Sequence, residues 1–113
     1  MADIKNVTDY LTPAELLAQL AEEGAELAQA ALKLRRAYDG TNPTPKTVGE
    51  CLDNLQEEVA DVLLSLRIYC EADHIDFEDF LDGMDEIIIK KSDRWLERLQ
   101  KAHPQEGGAD GKT

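Results

Sequence analysis

Two short segments organise this chain: Leu20–Leu27, which reads LAEEGAEL, and Leu55–Val62, which reads LQEEVADV. Their charged positions coincide. Each segment falls within a pattern of apolar residues at helical spacing, so each predicted helix carries carboxylates at i and i+3 on one face. Packed side by side, the two helices would bring four carboxylates together. Like charges gather only around a cation, and carboxylate oxygens indicate a hard one such as Mg²⁺.

Local capping patterns predict where three long helices begin and end. Thr12 and Thr47 are each followed three residues later by a glutamate, which is the capping-box signature of a helix start. Gly40 is expected to end the first helix, and the third should stop before Pro104. The predicted helices run from residue 13 to about 38, from 48 to about 71 and from 77 to about 101, after a helical turn near residues 8–11.

No segment alternates apolar and polar residues as a strand would, so the sequence predicts an all-α fold. The expected architecture is an antiparallel bundle of three long helices, preceded by a short N-terminal helix. Residues 1–102 are predicted to form one domain, and the glycine-rich residues 103–113 a disordered tail. Each long helix has roughly 25 residues and a length of about 37 Å. Because three such helices leave leucine-rich faces uncovered, we expect oligomerisation to complete a four-helix-type bundle.

The composition excludes several classes of partner. A net charge of −12 over 113 residues argues against binding to the nucleic-acid backbone. No apolar run approaches the roughly 18 residues that a membrane span needs, and the N-terminus lacks the organisation of a signal peptide. Cys51 and Cys70 fall on one predicted helix about 28 Å apart, too far for a disulfide. These features predict a cytoplasmic protein without a nucleic-acid or membrane partner.

Four acids occupy equivalent places on the first two helices. At about 100° per residue, Glu23 and Glu58 each fall about 40° from the centre of the apolar stripe, inside its arc. Glu26 and Asp61 fall about 100° away, on the flank, whereas Glu57 is about 140° away and should face solvent. An acid within an apolar arc is costly unless it is neutralised, paired or metal-bound. The simpler alternative is that all are solvated glutamates of acidic helices.

The third predicted helix carries cations. Lys91 falls on the apolar stripe of this helix, about 20° from Met84 in projection, and Arg94 lies on the same side. These side chains could meet the carboxylates or the phosphates of a substrate. The alternative is a lysine that extends along the edge of the bundle to reach water.

These residues resemble a known family. EExxE at residues 22–26, followed on the next helix by ExxD at 58–61, is similar to the signature of the MazG-like all-α nucleoside triphosphate pyrophosphohydrolases. The similarity extends from about residue 11 to 99. By motif position, the resemblance implies that Glu23, Glu26, Glu58 and Asp61 bind the metal. One departure is that the segment from Lys90 to Arg94 lacks the asparagine that family members often carry there.

The resemblance also implies an activity. The family hydrolyses nucleoside or deoxynucleoside triphosphates between the α and β phosphates, giving the monophosphate and pyrophosphate, and so acts on the nucleotide pool. It implies dependence on Mg²⁺, with Mn²⁺ as a substitute, and a homodimer or dimer of dimers. Glu23 or Glu26 would then orient or deprotonate the attacking water. Lys91 and Arg94 would stabilise the triphosphate or the leaving pyrophosphate.

Other interpretations stay open at this point. The chain could be a non-enzymatic helical module that dimerises through its apolar stripes, or a degenerate homologue that binds metal without hydrolysing nucleotides. The sequence does not identify the residues that bind the base. Four aromatic side chains are candidates for stacking, although each is equally suited to a core: Tyr38, Tyr69, Phe80 and Trp95.

Overall fold

A computed structural model of the chain describes residues 6–41 and 45–104. This part of the chain is helical and contains no strand, which confirms the predicted all-α class. The elements are a 3₁₀ turn at Val7–Asp9 and three α-helices: α1 (Pro13–Asp39), α2 (Val48–Ala72) and α3 (Phe77–Ala102). The tail that we predict to be disordered lies outside the described residues from residue 105 onward.

The helix ends follow from local chemistry, as predicted. In both α1 and α2 the capping threonine and the glutamate three residues later bond reciprocally. Thr12 Oγ1 accepts from the Glu15 N–H at 3.2 Å while Glu15 Oε1 accepts from the Thr12 N–H at 2.9 Å, and Thr47 and Glu50 repeat this at 3.1 and 2.9 Å. Gly40 ends α1 with φ 71°, a left-handed conformation that glycine adopts without steric cost.

Helices α1 and α2 pack against each other along lines of residues spaced by seven. Each line has a buried residue at both ends and a half-buried glutamate midway between them. The start of α1 lies beside the end of α2, because Leu16 and Ser65 line the same cavity, so the pair is antiparallel. In chain order the two lines are Leu16, Glu23 and Ala30 on α1, and Cys51, Glu58 and Ser65 on α2.

The chain divides into two units, Met1–Asp76 and Phe77–Thr113, and the second consists of α3 in its described part. The large apolar side chains between Phe77 and Met84 of α3 are half-buried, including Phe80. From Ile87 onward the large apolar side chains are exposed, Ile89 by 63% and Trp95 by 66%. None of the described helices combines the length and the apolar character that crossing a membrane would require.

We predict that the protein is at least a dimer in solution. The apolar side chains exposed on a single chain would be covered by a second copy, and that burial would favour association. Multi-angle light scattering at micromolar concentration should give at least twice the mass of one chain, which is 12.6 kDa. A monomeric mass that persists as the concentration is raised would contradict the prediction.

Candidate functional site

The two central glutamates lie at the middle of the α1–α2 contact. Glu23 is midway between buried Leu16 and Ala30, and Glu58 is midway between buried Cys51 and Ser65. The sequence also places both glutamates within an apolar arc, and it predicts that this arc is centred on leucines and valines. The observed contact faces include the glutamates together with this apolar stripe, because Leu27 and Val62 are half-buried like Glu23 and Glu58.

One acid lies nearer the helix contact than its predicted place. The sequence places Asp61 on the flank of α2, whereas its side chain is half-buried and faces the contact with α1. Glu26 is exposed, and so is Glu57, which was expected to face solvent.

The four acids predicted to bind metal act on one another electrostatically. Partial burial raises the pKa of Glu23, and the negative charges of Glu26 and Asp61 raise it further. Burial likewise raises the pKa of Glu58, to which Glu26, Asp61 and Glu23 add. Asp61 thus contributes to the raised pKa of both glutamates. The structure therefore groups these acids, and the neighbouring charges that raise both pKa values all belong to acids.

The donor set has the chemistry of a site for a hard divalent cation. Such a cation would remove the repulsion that raises the two pKa values. Within residues 6–41 and 45–104, however, no three His, Cys, Asp or Glu side chains form a group that could hold a metal ion as they stand. Metal binding by Glu23, Glu26, Glu58 and Asp61 therefore stays a prediction.

Sequence reasoning missed two polar residues beside the acids. A cavity of about 300 Å³ opens next to Glu23 and Asp61, and its lining includes Gln19 and Ser65. The Gln19 amide Nε2 donates to Glu23 Oε1 at 3.1 Å, which lowers the pKa of Glu23 against the larger effects that raise it. Helical spacing could have identified both residues, because Gln19 precedes Glu23 by one helical turn and Ser65 follows Glu58 by two turns.

The predicted phosphate-binding residues share one face of α3. Lys91 and Arg94 line a shallow cavity of about 250 Å³ together with Trp95 and Arg98, at i, i+3, i+4 and i+7 of the helix. The sequence places Lys91 on an apolar stripe facing the core, whereas its side chain is exposed. This face combines three cations with an aromatic ring, which suits an anionic ligand. Contact with phosphate by Lys91 and Arg94 stays a prediction.

The aromatic candidates for base stacking lie in different environments. Tyr38 is 70% exposed, and Phe80 is half-buried on α3. The Tyr69 hydroxyl donates to Asp73 Oδ2 at 2.7 Å, and this bond raises the pKa of Tyr69. Trp95 belongs to the basic face of α3. No aromatic side chain lines the cavity beside the acids within the described part of the chain.

The sequence model of the MazG nucleotide pyrophosphohydrolase domain matches residues 11–96, which include α1, α2 and most of α3. The chain belongs to this family, as the resemblance of its acidic motifs predicts. Neither a curated protein nor a solved structure matches the chain significantly. The family match spans both acidic segments and the basic face of α3 up to Trp95 and Leu96.

We predict that the raised pKa of Glu58 makes the stability of the fold depend on pH. Because the folded state raises the pKa of Glu58, folding favours its protonated form. Glu58 therefore stabilises the folded state fully below the ordinary pKa of glutamate, about 4.3. This contribution is lost as pH rises through the raised pKa of the folded state. In the presence of a chelator, Glu58→Gln should therefore lose less stability than wild type as pH rises to neutrality. Urea unfolding at a series of pH values measures the difference.

Glu57→Gln is the matched control for that experiment. Glu57 is the sequence neighbour of Glu58, and its side chain is exposed. It removes the same formal charge from the same helix, so any effect of net charge is common to the two variants. If both variants alter the pH dependence equally, the acids are not coupled in the folded protein.

Proposed function

We propose that the protein is a cytoplasmic, Mg²⁺-dependent nucleoside triphosphate pyrophosphohydrolase, with Mn²⁺ able to substitute. It cleaves nucleoside or deoxynucleoside triphosphates between the α and β phosphates, releasing the monophosphate and pyrophosphate. Membership of the family supports the reaction class. The proposal rests above all on one observation: at the centre of the α1–α2 contact, burial and the charges of neighbouring acids, Glu26 and Asp61 among them, raise the pKa of both Glu23 and Glu58.

Each acid has a proposed role. Glu23, Glu26, Glu58 and Asp61 hold the metal through their carboxylate oxygens, the ligands that Mg²⁺ prefers. When bound, the metal supplies neutralisation of phosphate charge and a more acidic water. Glu23 or Glu26 orients the water that attacks the α-phosphorus and accepts its proton.

The cations of α3 complete the proposal. Lys91 and Arg94 bind the phosphates and stabilise the negative charge that builds up on the leaving pyrophosphate. As basic residues they would also offset the strong acidity of the chain near a polyanionic substrate, since the net charge is −12. The active form is proposed to be a homodimer or a dimer of dimers.

We predict that Glu58→Gln abolishes pyrophosphate release while Glu57→Gln largely preserves it. Glu58 is half-buried among the acids, whereas its neighbour points to solvent because adjacent helical residues are about 100° apart. The assay is a panel of the eight common nucleoside and deoxynucleoside triphosphates with MgCl₂. Products are resolved as monophosphate plus pyrophosphate or as diphosphate plus phosphate.

The product pair and the two variants test different parts of the proposal. Release of diphosphate and phosphate would mean that cleavage occurs at the wrong bond for this family. Equal loss of activity in both variants would refute the assignment of faces on α2. Absence of hydrolysis with every triphosphate would leave the degenerate homologue or the interaction module as the better interpretation.

We predict that Mg²⁺ stabilises the fold specifically. A cation that binds the folded acids and not the unfolded chain stabilises by RT ln(1 + [Mg²⁺]/Kd), roughly 2.7 kcal/mol at a hundredfold excess over Kd. For a domain of this size, the melting temperature should rise by several degrees. The comparison is MgCl₂ against NaCl at matched ionic strength, which screens the net charge equally. Glu58→Gln should be as stable as wild type or more stable without metal, and should respond less to MgCl₂.

Comparing the two salts distinguishes binding of Mg²⁺ at a specific site from a general ionic effect. If MgCl₂ and NaCl raise the melting temperature of the wild type equally, the four-carboxylate site is wrong. If Glu58→Gln responds to MgCl₂ as strongly as wild type, the cation binds elsewhere on this acidic chain.

A further inference from the structure

The cavity beside the acids has two kinds of wall. One side is formed by the carboxylates of Glu23 and Asp61, and Gln19 and Ser65 add an amide and a hydroxyl. The remainder is aliphatic and comes from the 3₁₀ turn, from the residue before the Thr12 cap and from both long helices. These aliphatic residues are Val7, Leu11, Leu16, Leu64 and Ile68.

We propose that this cavity is the nucleobase subsite, and that Gln19 both recognises the base and positions Glu23. The proposal rests on the proposed function, because it takes the phosphates to lie at the acids. The cavity extends from Glu23 to Leu16, two helical turns or roughly 10 Å along α1. A nucleotide held by its phosphates at one end would thus place its base among the aliphatic side chains at the other.

The chemistry of the walls selects the base rather than the sugar or a phosphate. Aliphatic side chains pack against the apolar face of a flat heterocycle and gain from its removal from water. A ribose would bring hydroxyls against Leu16 and Ile68 with few partners, and unpaired polar groups are costly when buried. A small number of polar groups in an apolar cavity is the usual arrangement of a specific small-molecule site.

The bond to Glu23 determines which end of the Gln19 amide is available. An ionised carboxylate only accepts hydrogen bonds, so the Gln19 NH₂ must face Glu23, as the 3.1 Å contact shows. The Oε1 of Gln19 then remains as an acceptor for an N–H on the edge of a base. Ser65 is 8% exposed, and its hydroxyl can donate or accept on the opposite helix.

This arrangement links base recognition to the acids. A base that donates to Gln19 Oε1 holds the amide, and the amide in turn holds the Glu23 carboxylate in one orientation. Gln19 would therefore contribute in two separable ways. Loss of base recognition affects some nucleotides more than others, whereas loss of Glu23 positioning affects every phosphate ligand alike.

The test compares binding of nucleotides with binding of a ligand that lacks the base. Isothermal titration in MgCl₂ is carried out with the four common nucleoside 5′-monophosphates and with ribose 5-phosphate. The proteins are wild type, Gln19→Leu, Ser65→Ala and the control Gln29→Leu, which changes an exposed glutamine on α1 outside the cavity. Circular dichroism melts confirm that each variant is folded.

We expect wild type to bind at least one monophosphate about tenfold more tightly than ribose 5-phosphate. Gln19→Leu should weaken binding of the preferred monophosphate by about tenfold or more. It should also reduce the differences in affinity among the four monophosphates. Ser65→Ala should weaken it in the same base-dependent manner. Binding of ribose 5-phosphate should change much less in both, and Gln29→Leu should behave as wild type.

Two results would overturn the inference. One is wild-type binding that does not distinguish monophosphates from ribose 5-phosphate. The other is a Gln19→Leu effect of equal size on all ligands, which would reduce Gln19 to a positioning residue of Glu23.

Pyrophosphate release from triphosphates, measured on the same wild-type samples, separates this inference from the proposed function. Release without base-dependent binding refutes the subsite alone. Base-dependent binding that is lost in Gln19→Leu, without release, refutes hydrolysis alone and retains the subsite. Neither binding nor release refutes both.

Discussion

Two glutamates facing each other at the centre of a helix–helix contact are the constraint on which this structure depends. Glu23 and Glu58 occupy positions that would ordinarily hold leucine or alanine, and partial burial raises the pKa of both. The apolar core compensates little for the cost of burying these acids. The described chain has few fully buried side chains, and Leu16 is the largest of them. A modest core that contains opposed carboxylates is stable only when something outside the apolar packing neutralises them. The proposed metal binding and the stability of the α1–α2 pair would therefore be linked through the same side chains.

The ends of the helices were predictable from sequence because capping is local. Thr12 and Thr47 need only a glutamate three residues away, and Gly40 needs only its own backbone freedom. The grouping of the acids was also predictable, since spacing alone sets them on equivalent faces. The half-buried position of Asp61 was not, because the sequence pattern weights large apolar residues, whereas the contact also includes Ala30 and Ser65. Which side of a helix packs depends on how closely the partner can approach, and a single helix does not contain that information.

The cavity could not be predicted for a related reason. It needs the 3₁₀ turn, the start of α1 and the end of α2 in one place, so its residues are separated by more than fifty positions in the chain. Gln19 shows no unusual pattern by itself, and glutamine is common on exposed helical faces. Gln19 is distinguished instead by its hydrogen bond to Glu23 and by the cavity beside it. Family membership indicates a reaction, whereas the selection of a substrate depends on contacts of this kind.

The capped helix starts have one more consequence. Glu23 follows its capping residue Thr12 by eleven positions, and Glu58 follows Thr47 by the same interval. Both acids are thus about three turns from the positive end of their helices, too far for the helix dipole to offset their charge. Equal intervals in an antiparallel pair also create an approximate twofold axis between the two glutamates. A ligand on that axis would meet one glutamate from each helix, as though one half-site had been built twice within a single chain.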